Sequence, residues 1–275
     1  MSFTVNTNPS SLNAQRNLSS TQRALSANLA RLSSGNRINQ AADDAAGLGI
    51  SEKLKAQIKG LSQASRNAND GVSMIQVAEG AMNEQAGILT RLRELAVQSA
   101  NGTLGTDERS FISTEATSLT SELDRISAVT EFNGVKMLGA DAGTVTMQVG
   151  IHGSADDQLD ISFAATDSAT IGVDSLDFSS AASSRTALGT IDTAINTLST
   201  SRATIGAAQN RLQVTMNNLA VANENLSAAN SRIRDVDVAQ ETSDMTKNQI
   251  LTQAGVAVLS QANQLPSSAL SLLGK

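Results

Sequence analysis

A seven-residue repeat of apolar side chains runs through the second half of the chain, up to Ile233. A strict heptad over this length is typical of a coiled-coil seam, because a 3.5-residue period keeps one stripe of a helix facing a partner helix. No proline interrupts the repeat, so it predicts one helix over residues 184–234, roughly 75 Å long. The seam positions are Ile191, Leu198, Ile205, Leu212, Leu219, Leu226 and Ile233.

An interleaved series lies three residues before each seam residue and becomes polar toward the C-terminal end. Its members are Leu188, Ile195, Arg202, Gln209, Met216, Asn223 and Asn230. Polar residues in a seam usually set the register of helix pairing. We therefore interpret this series as the second half of the seam and not as a ligand site.

A second long heptad helix precedes the first one and ends near Asn101-Gly102. Its two predicted series are Leu54, Leu61, Ala68, Ile75, Met82, Leu89 and Ala96, with Ile58, Ser65, Val72, Glu79, Ala86 and Arg93. This is the antiparallel partner that a seam of such length requires. A third helix is predicted next, with Asp107 as its N-cap and Asn133-Gly134 at its end.

The hydrophobic period changes to two after the third helix. Apolar residues alternate over 145–151 and again over 159–163, on either side of a turn-rich segment. Strict alternation predicts strands, so this region is predicted to be one β-hairpin with a long loop. Residues 165–185 are predicted to be a connection.

Short heptad helices are predicted at both ends of the chain. Their repeats are Leu18, Leu25 and Leu32 at one end, and Leu251, Val258, Leu265 and Leu272 at the other. Short helices gain little from burial by themselves, so we expect them to need partners from other copies and to be largely disordered in the monomer. The exposed C-terminal stripe would then attract a dedicated chaperone.

The predicted fold class is mainly α. The order of elements predicts a long antiparallel helical rod, a coiled-coil bundle, with one small β-hairpin region and discontinuous N- and C-terminal helices. The predicted divisions are residues 1–44 and 236–275 as the two halves of an inner terminal domain, 45–136 and 184–235 as the helices of the rod, and 137–183 as the hairpin and connection.

Composition and charge narrow the function classes. Aromatic residues make up 2% of the chain, which suits a thin helical bundle better than a globular core. A net charge of −6 argues against nucleic acid and anionic membranes as main partners. No apolar run is long enough to span a bilayer, the N-terminus lacks the pattern of a signal peptide, and the absence of cysteine excludes disulfides.

Candidate chemistry is sparse. His152 is the only histidine and lies near Asp156 and Asp157, but a metal site needs three or four convergent ligands. Asp43-Asp44 precedes a predicted helix, where acidic residues ordinarily interact with the helix dipole. We therefore predict a non-enzymatic protein with no catalytic, cofactor-binding or metal-binding residues.

Several sequence blocks, in order, resemble the terminal signatures of bacterial flagellins. The blocks are residues 32–47, 65–71 and 92–103 near the N-terminus, and 231–237, 249–255 and 261–266 near the C-terminus. The resemblance covers about residues 1–140 and 185–275. This chain is a short form, because only the hairpin stands where other members carry variable outer domains.

The resemblance implies a secreted subunit of the extracellular flagellar filament, a homopolymer that drives swimming. It further implies passage of the unfolded chain through the flagellar export apparatus, a flagellin chaperone, and addition beneath a filament cap next to hook-junction proteins. Two alternatives remain. One is the hook–filament junction protein, whose terminal helices are similar, and the other is a secreted coiled-coil adhesin or toxin-translocation subunit.

A stripe on the second helix is singled out by the same resemblance. Arg91, Leu95 and Gln98 share one face, offset from the seam, and Glu115 lies on the next helix. In receptor-activating flagellins the matching positions are contacted by the vertebrate Toll-like receptor that senses flagellin. Thr90 replaces the glutamine usual before that arginine. The same residues could instead join neighbouring subunits, and we expect both uses of one surface.

Overall fold

Long helices dominate the protein, which confirms the mainly α prediction. The computed structural model describes the backbone of residues 7–273 and the side chains of residues 7–264. In chain order the elements are α1 Pro9–Ser34, α2 Ala45–Ser99, α3 Thr106–Val129, β1 Glu131–Phe132, β2 Val135–Lys136, β3 Thr144–Gln148, β4 Gln158–Ser162, α4 Ser168–Ile171, α5 Ala181–Arg234 and α6 Val238–Leu273.

The chain divides into two compact units. The terminal unit combines Met1–Ala56 with Asn225–Lys275, and the central unit is Gln57–Glu224. Helices α2 and α5 each supply residues to both units. The division therefore falls within these two helices.

In the terminal unit, α1 begins and ends with strong local signals. The Asn8 side chain accepts a hydrogen bond from Ser11 N at 3.1 Å, and Pro9 occupies the first helical position, where its missing N–H costs nothing. The helix ends at Gly35, whose φ of 70° is the left-handed conformation that glycine adopts without strain. The glycine cap places the end of α1 at Ser34.

In the central unit, α2 and α5 run antiparallel. Ser99 Oγ accepts from Ser184 Oγ at 2.9 Å, near the start of α5. At the other end of the pair, Asn223 Nδ2 donates to Ser62 Oγ at 3.3 Å. Residue numbers thus rise along one helix as they fall along the other, as predicted for the two long helices.

One half of the predicted seam is displaced by one residue. The seam series is buried from Ile191 to Leu219 as predicted, but the predicted companion series is only half-buried along α5. The companions that are buried are Ala187, Ala194, Ser201 and Ala208 on α5, with Ala64, Gly71, Ala78, Gln85, Leu92 and Ser99 on α2. Most of these side chains are small and let the helices approach closely. At Gly71 an added Cβ would lie 3.2 Å from Leu212 Cδ1.

Strands β3 and β4 form the predicted hairpin. They pair antiparallel, with Val145 opposite Ile161 and Met147 opposite Leu159. Leu159 and Ile161 are buried in the same apolar core as the inner faces of the long helices. The hairpin therefore covers the helices with one face, as alternation predicts.

A second, very short hairpin corrects the predicted end of the third helix. Helix α3 ends at Val129, and Asn133-Gly134 forms the turn between β1 and β2 instead. Both turn residues have positive φ, 50° and 79°. An Asn-Gly pair favours this hairpin turn because both residues tolerate the left-handed region.

The beginnings of α3 and α5 also differ from the predictions. The N-cap of α3 is Gly105, and Asp107 lies inside the first turn, where its charge favours the helix dipole. The predicted connection over 165–185 contains the short helix α4, and α5 already begins at Ala181. Asp167 causes the extra turn, because its side chain caps α4 by accepting from Thr170 N at 3.3 Å.

Candidate assembly and recognition surfaces

The terminal helices α1 and α6 lie against each other in antiparallel order. Asn8 Nδ2, before α1, donates to Ala262 O near the end of α6 at 2.7 Å. Further along, a Cβ on Gly255 would lie 3.2 Å from Leu18 Cδ1, so the glycine permits close approach. The two terminal helices therefore pair within one chain, and their need for further partners from other copies stays a prediction.

This pairing leaves much apolar surface of the two helices open. The predicted assembly residues Leu18, Leu25 and Leu32 are half-buried, whereas Leu251 and Val258 are 46% and 57% exposed. The side chains of Leu265 and Leu272 lie outside the described residues. Further exposed apolar side chains of the pair are Leu12, Leu29, Ile250 and Val256. Exposed apolar side chains in such number favour an interaction site on the pair.

The apolar core of the terminal unit is small. Among its described side chains, Ile38 and Ala262 are the fully buried apolar ones. Burial of apolar surface is the main favourable term in folding. The unit therefore gains little stability by itself and would gain more from covering its exposed stripe.

A buried polar cluster joins the C-terminal end of α1 to the N-terminal end of α6. The Asn28 amide donates to Glu241 Oε1 at 3.0 Å and accepts from Met245 N and Asn248 Nδ2, each at 3.1 Å. Asn28 and Glu241 are 6% and 8% exposed. A buried polar group without partners is costly, so this cluster favours one register of α1 on α6.

Arg31 extends the cluster to the segment that follows α1. Its guanidinium lies 3.6 Å from Glu241 Oε1 and 3.7 Å from Asp43 Oδ1. Asp43 Oδ2 also accepts hydrogen bonds from the backbone N–H groups of Asn39 and Gln40, both at 3.1 Å. These backbone donors, with Arg31 as a smaller contribution, hold the pKa of Asp43 below its usual value.

The segment that connects α1 to α2 pairs antiparallel with the segment that connects α5 to α6. Arg37 N donates to Arg234 O at 2.6 Å, and Val236 N donates to Gly35 O at 3.0 Å. The Arg37 guanidinium also donates to Ile233 O at 2.6 Å, which satisfies a carbonyl at the end of α5. The two connections are thereby tied together.

Asp43 and Asp44 have structural partners. Asp44 directly precedes α2, and its Oδ1 accepts from Gly47 N at 2.8 Å, the geometry of a helix N-cap. Asp43 binds the backbone before it, as described above. The carboxylates of this pair therefore cap a helix and hold the preceding loop by hydrogen bonds.

The seven predicted seam residues lie along α5 with decreasing burial. Those in the central unit are buried, and Leu226 and Ile233, in the terminal unit, are half-buried. The buried five are Ile191, Leu198, Ile205, Leu212 and Leu219.

The predicted recognition residues are only partly brought to the surface. Arg91 Nη2 lies 2.7 Å from Glu115 Oε1, and Arg91 Nη1 lies 3.0 Å from Glu94 Oε2. The hydrogen bond with Glu115, followed by that with Glu94, raises the pKa of the Arg91 guanidinium. Arg91, Gln98 and Glu115 are exposed.

Leu95 is the exception, and its assignment to this surface is wrong. It is 1% exposed and belongs to the same core as Ile112 and Ala116 of α3. A helix with two neighbours buries a wider face than one heptad seam. Leu95 lies beside the seam with α5 and is nevertheless buried, because α3 covers that face of α2.

His152 is exposed in the loop between β3 and β4. Its backbone N donates to Asp157 Oδ2 at 2.7 Å. Within residues 7–264, no three histidine or acidic side chains converge as metal ligands would. None of the described helices holds an apolar stretch long enough to cross a membrane.

Sequence reasoning missed the polar cluster around Asn28 and Glu241. The available signals were an asparagine between two leucines of the heptad and a glutamate in the first turn of α6. Neither indicates burial by itself, because polar residues on short helices are usually solvated.

Family comparisons agree with the resemblance in the sequence blocks. The family model described as "Bacterial flagellin N-terminal helical region" matches residues 5–142, and the "Bacterial flagellin C-terminal helical region" matches residues 188–273. Together these matches span well over half of the chain.

Several relatives are similar over almost their whole length. The "Flagellar filament 33 kDa core protein" of Treponema phagedenis is 44% identical over 283 residues, covering 98% of this chain and 99% of the relative. A flagellin of Halalkalibacterium halodurans is also 44% identical, with the same coverage. Flagellin A of Vibrio anguillarum is 36% identical over 378 residues, covering 99% of this chain and 100% of the relative.

Solved structures show the same kind of fold. Bacillus cereus flagellin matches with a TM-score of 0.51 and 28% identity, over 56% of this chain and 88% of that one. A putative flagellar hook-associated protein from Vibrio parahaemolyticus matches with a TM-score of 0.60 over 70% of this chain and 100% of that one. At 13% identity the second likeness shows the fold alone. By its two family regions and its full-length relatives, this chain belongs to the bacterial flagellin family and is a structural subunit of the flagellar filament.

Proposed function

We propose that the chain polymerises by covering the exposed apolar stripe of α1 and α6 with the terminal units of neighbouring copies. The observation that carries this proposal is that α1 and α6 pair within the chain but leave most of their described large apolar side chains exposed. Leu251 and Val258 remain about half exposed even after α1 has packed on α6. Full burial of such a side chain contributes about 1.5–3 kcal/mol, and covering the exposed half would contribute roughly half of that. Residues 1–44 and 236–275 would then act as one assembly domain.

The same surface accounts for the accessory partners. An exposed apolar stripe on α6 would need protection before assembly, which supports a flagellin chaperone and export of the unfolded chain through the flagellar export apparatus. After export, addition of subunits beneath a filament cap and above hook-junction proteins would bring the terminal units together. The filament is extracellular, so the chain is secreted by this route.

Deletion of residues 240–275 tests the proposal. The truncated chain loses α6, so α1 keeps no partner, while the core of the central unit stays intact. Electron micrographs should then show no filaments, and circular dichroism should still show helices. Filaments from the truncated chain would refute assembly through the terminal unit.

The full-length chain distinguishes the alternatives. A flagellin forms long helical tubes by itself, whereas a hook–filament junction protein adds only a short zone, and an adhesin forms none. Purified full-length protein should therefore give long tubes in electron micrographs. We further infer that the chain has no enzymatic activity, since the acidic pair Asp43-Asp44 is engaged in structural hydrogen bonds.

A second function is recognition by the vertebrate flagellin-sensing Toll-like receptor. The exposed Arg91–Glu115 ion pair supports it, since two helices hold an arginine and a carboxylate in a fixed arrangement. Arg91→Ala should lower receptor signalling by the monomer in reporter cells. The matched control is Arg125→Ala, which removes a similarly exposed arginine paired with Glu122 elsewhere on α3. Equal signalling by the two variants would reject this role of Arg91.

A further inference from the structure

Helix α5 carries a second heptad stripe outside its buried seam. Its first series is Thr186, Thr193, Thr200, Ala207, Val214 and Val221, and its second series begins Thr190, Thr197 and Thr204. All except Thr190, which is half-buried, are exposed. Val214 and Val221 are 60% and 58% exposed. We call these nine residues the threonine stripe.

The hydroxyl groups of the stripe are already occupied. Each of its six threonines donates to the carbonyl four residues earlier, for example Thr193 to Gly189 O at 2.9 Å and Thr200 to Asn196 O at 2.9 Å. This conformation turns each methyl group away from the hydrogen-bonded side. A partner could therefore cover the stripe without leaving a hydroxyl unsatisfied.

Helix stability does not account for the stripe. Threonine and valine are poorer helix formers than alanine, lysine or glutamate, because their branched side chains lose rotamer freedom. On an exposed face they make α5 less stable by itself. A seven-residue repeat of such residues is typical of contact with another helix.

Helix α2 carries a complementary feature. Gly80 and Gly87 are exposed, seven residues apart, and follow Ser73 by the same interval. A Cβ added at either glycine would meet no other part of the chain within 4 Å. Glycine inside a helix is destabilising, and packing within this chain does not require it at these positions. We call Ser73, Gly80 and Gly87 the glycine groove.

We propose that the threonine stripe of one copy docks into the glycine groove of a second copy of this chain. Both features repeat about every 10.5 Å along straight helices. The branched side chains of the stripe therefore recur at the same interval as the glycines, which have no side chain. Both belong to the central unit, and neither includes a residue of α1 or α6. The occupant is a second copy because flagellar filament subunits associate with their own kind. This inference rests on the proposed function and adds a contact independent of the terminal unit.

The absence of cysteine from the chain permits a direct test on the full-length protein. Thr200→Cys and Gly87→Cys are each labelled with a maleimide, as monomers and as filaments. Both should react as monomers and lose labelling in filaments. The control is Ser199→Cys, on the exposed face beside the stripe, which should react in both states. Undiminished labelling of either test cysteine in filaments would overturn the proposal.

Cross-linking then identifies which surface meets which. A short bis-maleimide should give dimers in filaments grown from a mixture of Thr200→Cys and Gly87→Cys subunits, and none when either variant polymerises alone. Dimers from Thr200→Cys alone would show that stripe meets stripe and would reject the pairing with the groove. If the wild-type chain formed no filaments, the proposed function itself would be wrong.

The glycines offer a second measurement. Gly80→Ala combined with Gly87→Ala should raise the Tm of the monomer, because alanine is the better helix former, yet weaken filament assembly in sedimentation assays. Gly206→Ala, at another open helical glycine on a different face of α5, should raise Tm without affecting assembly. Normal assembly of the stabilised double variant would exclude close approach at the groove.

Discussion

Leu212 illustrates how a single seam residue contributes to the central unit. It is fully buried and faces Gly71. Leu212→Ala should lower the free energy of unfolding by about 2–5 kcal/mol, because it removes apolar contacts and leaves a cavity. Urea unfolding followed by circular dichroism measures the change. The exposed Val214→Ala, two residues along, should change stability by less than about 0.5 kcal/mol. Equal losses from the two variants would contradict the assignment of the buried face.

Asp43 gives a prediction about pH. Its pKa is held below the ordinary value of 3.8, chiefly by the backbone N–H groups of Asn39 and Gln40. A carboxyl with a lowered folded pKa contributes stability above its unfolded pKa, and this contribution is lost as pH falls through the folded pKa. Asp43→Asn should therefore lower the Tm of the terminal unit at pH 7, and the difference from wild type should shrink below about pH 3.8.

Thermal melts at pH 7 and pH 3 measure this difference. Asp70→Asn, a substitution at an exposed position of the central unit, is the matched control. A wild-type advantage over Asp43→Asn that stayed constant from pH 7 to pH 3 would show that charge at Asp43 contributes nothing.

Glu241 allows the polar cluster to be tested separately. Its carboxylate accepts from Asn28 and lies near Arg31, and it is only 8% exposed. Glu241→Leu would leave both partners unsatisfied, which costs about 1–3 kcal/mol for a buried group. Melting of α1 and α6, followed by circular dichroism, should occur at lower temperature than in Glu224→Leu, an exposed substitution on α5. Unchanged melting would mean that register is set by the leucines alone.

At the residue scale, burial could be predicted from the sequence for large apolar side chains but not for small ones. The seam through Leu198 and Leu212 could be predicted, because large apolar residues at a regular heptad spacing indicate a buried helix face. Its companions Ala194 and Ser201 could not, because alanine and serine are equally common on solvated helix faces. The pattern favours the series one residue away, because its apolar side chains are larger. Burial at these sites follows from how closely two helices approach, which a single helix does not encode.

At the scale of elements, α1 and α6 should be the first to open. They pair with each other but bury few apolar side chains, and low burial gives low local stability. Limited proteolysis of the monomer should trim both ends and leave a fragment that begins near residue 45 and ends near residue 235. Mass spectrometry identifies the fragment. Filaments are the control, since neighbouring copies should protect both helices. Equal protection of the termini in a verified monomer would contradict the prediction.

Element length explains which elements could be predicted. Helices α2 and α5 contain many heptads, and the β3–β4 hairpin has five paired residues on each strand, so each presents a clear period. The β1–β2 hairpin and α4 are too short to show any period. Their signals are single residues, the Asn133-Gly134 turn and the Asp167 cap, and such signals also occur at helix ends.

At the scale of the whole molecule, the loop between β3 and β4 is the position at which added sequence should be tolerated best. Gly153 and Ser154 are exposed at its tip. The ends of the loop are held together by Val149 N, which donates to Asp157 O at 2.9 Å. The Vibrio anguillarum relative aligns over 378 positions with this chain of 275 residues, so related flagellins accommodate about a hundred more.

Insertion of a small folded domain with adjacent termini between Gly153 and Ser154 should therefore leave filament formation intact. An insertion at an exposed loop tip costs little, because the entropy of loop closure grows slowly with length and no core contact is broken. Electron microscopy of the purified fusion measures the outcome. The same domain inserted after Gly35 is the control, because it separates the hydrogen bonds from Val236 N to Gly35 O and from Arg37 N to Arg234 O. That fusion should form no filaments. Filaments from the Gly35 fusion would show that assembly does not need the hydrogen bonds between the two connections. Loss of filaments from the Gly153 fusion would instead place the hairpin loop within a subunit contact.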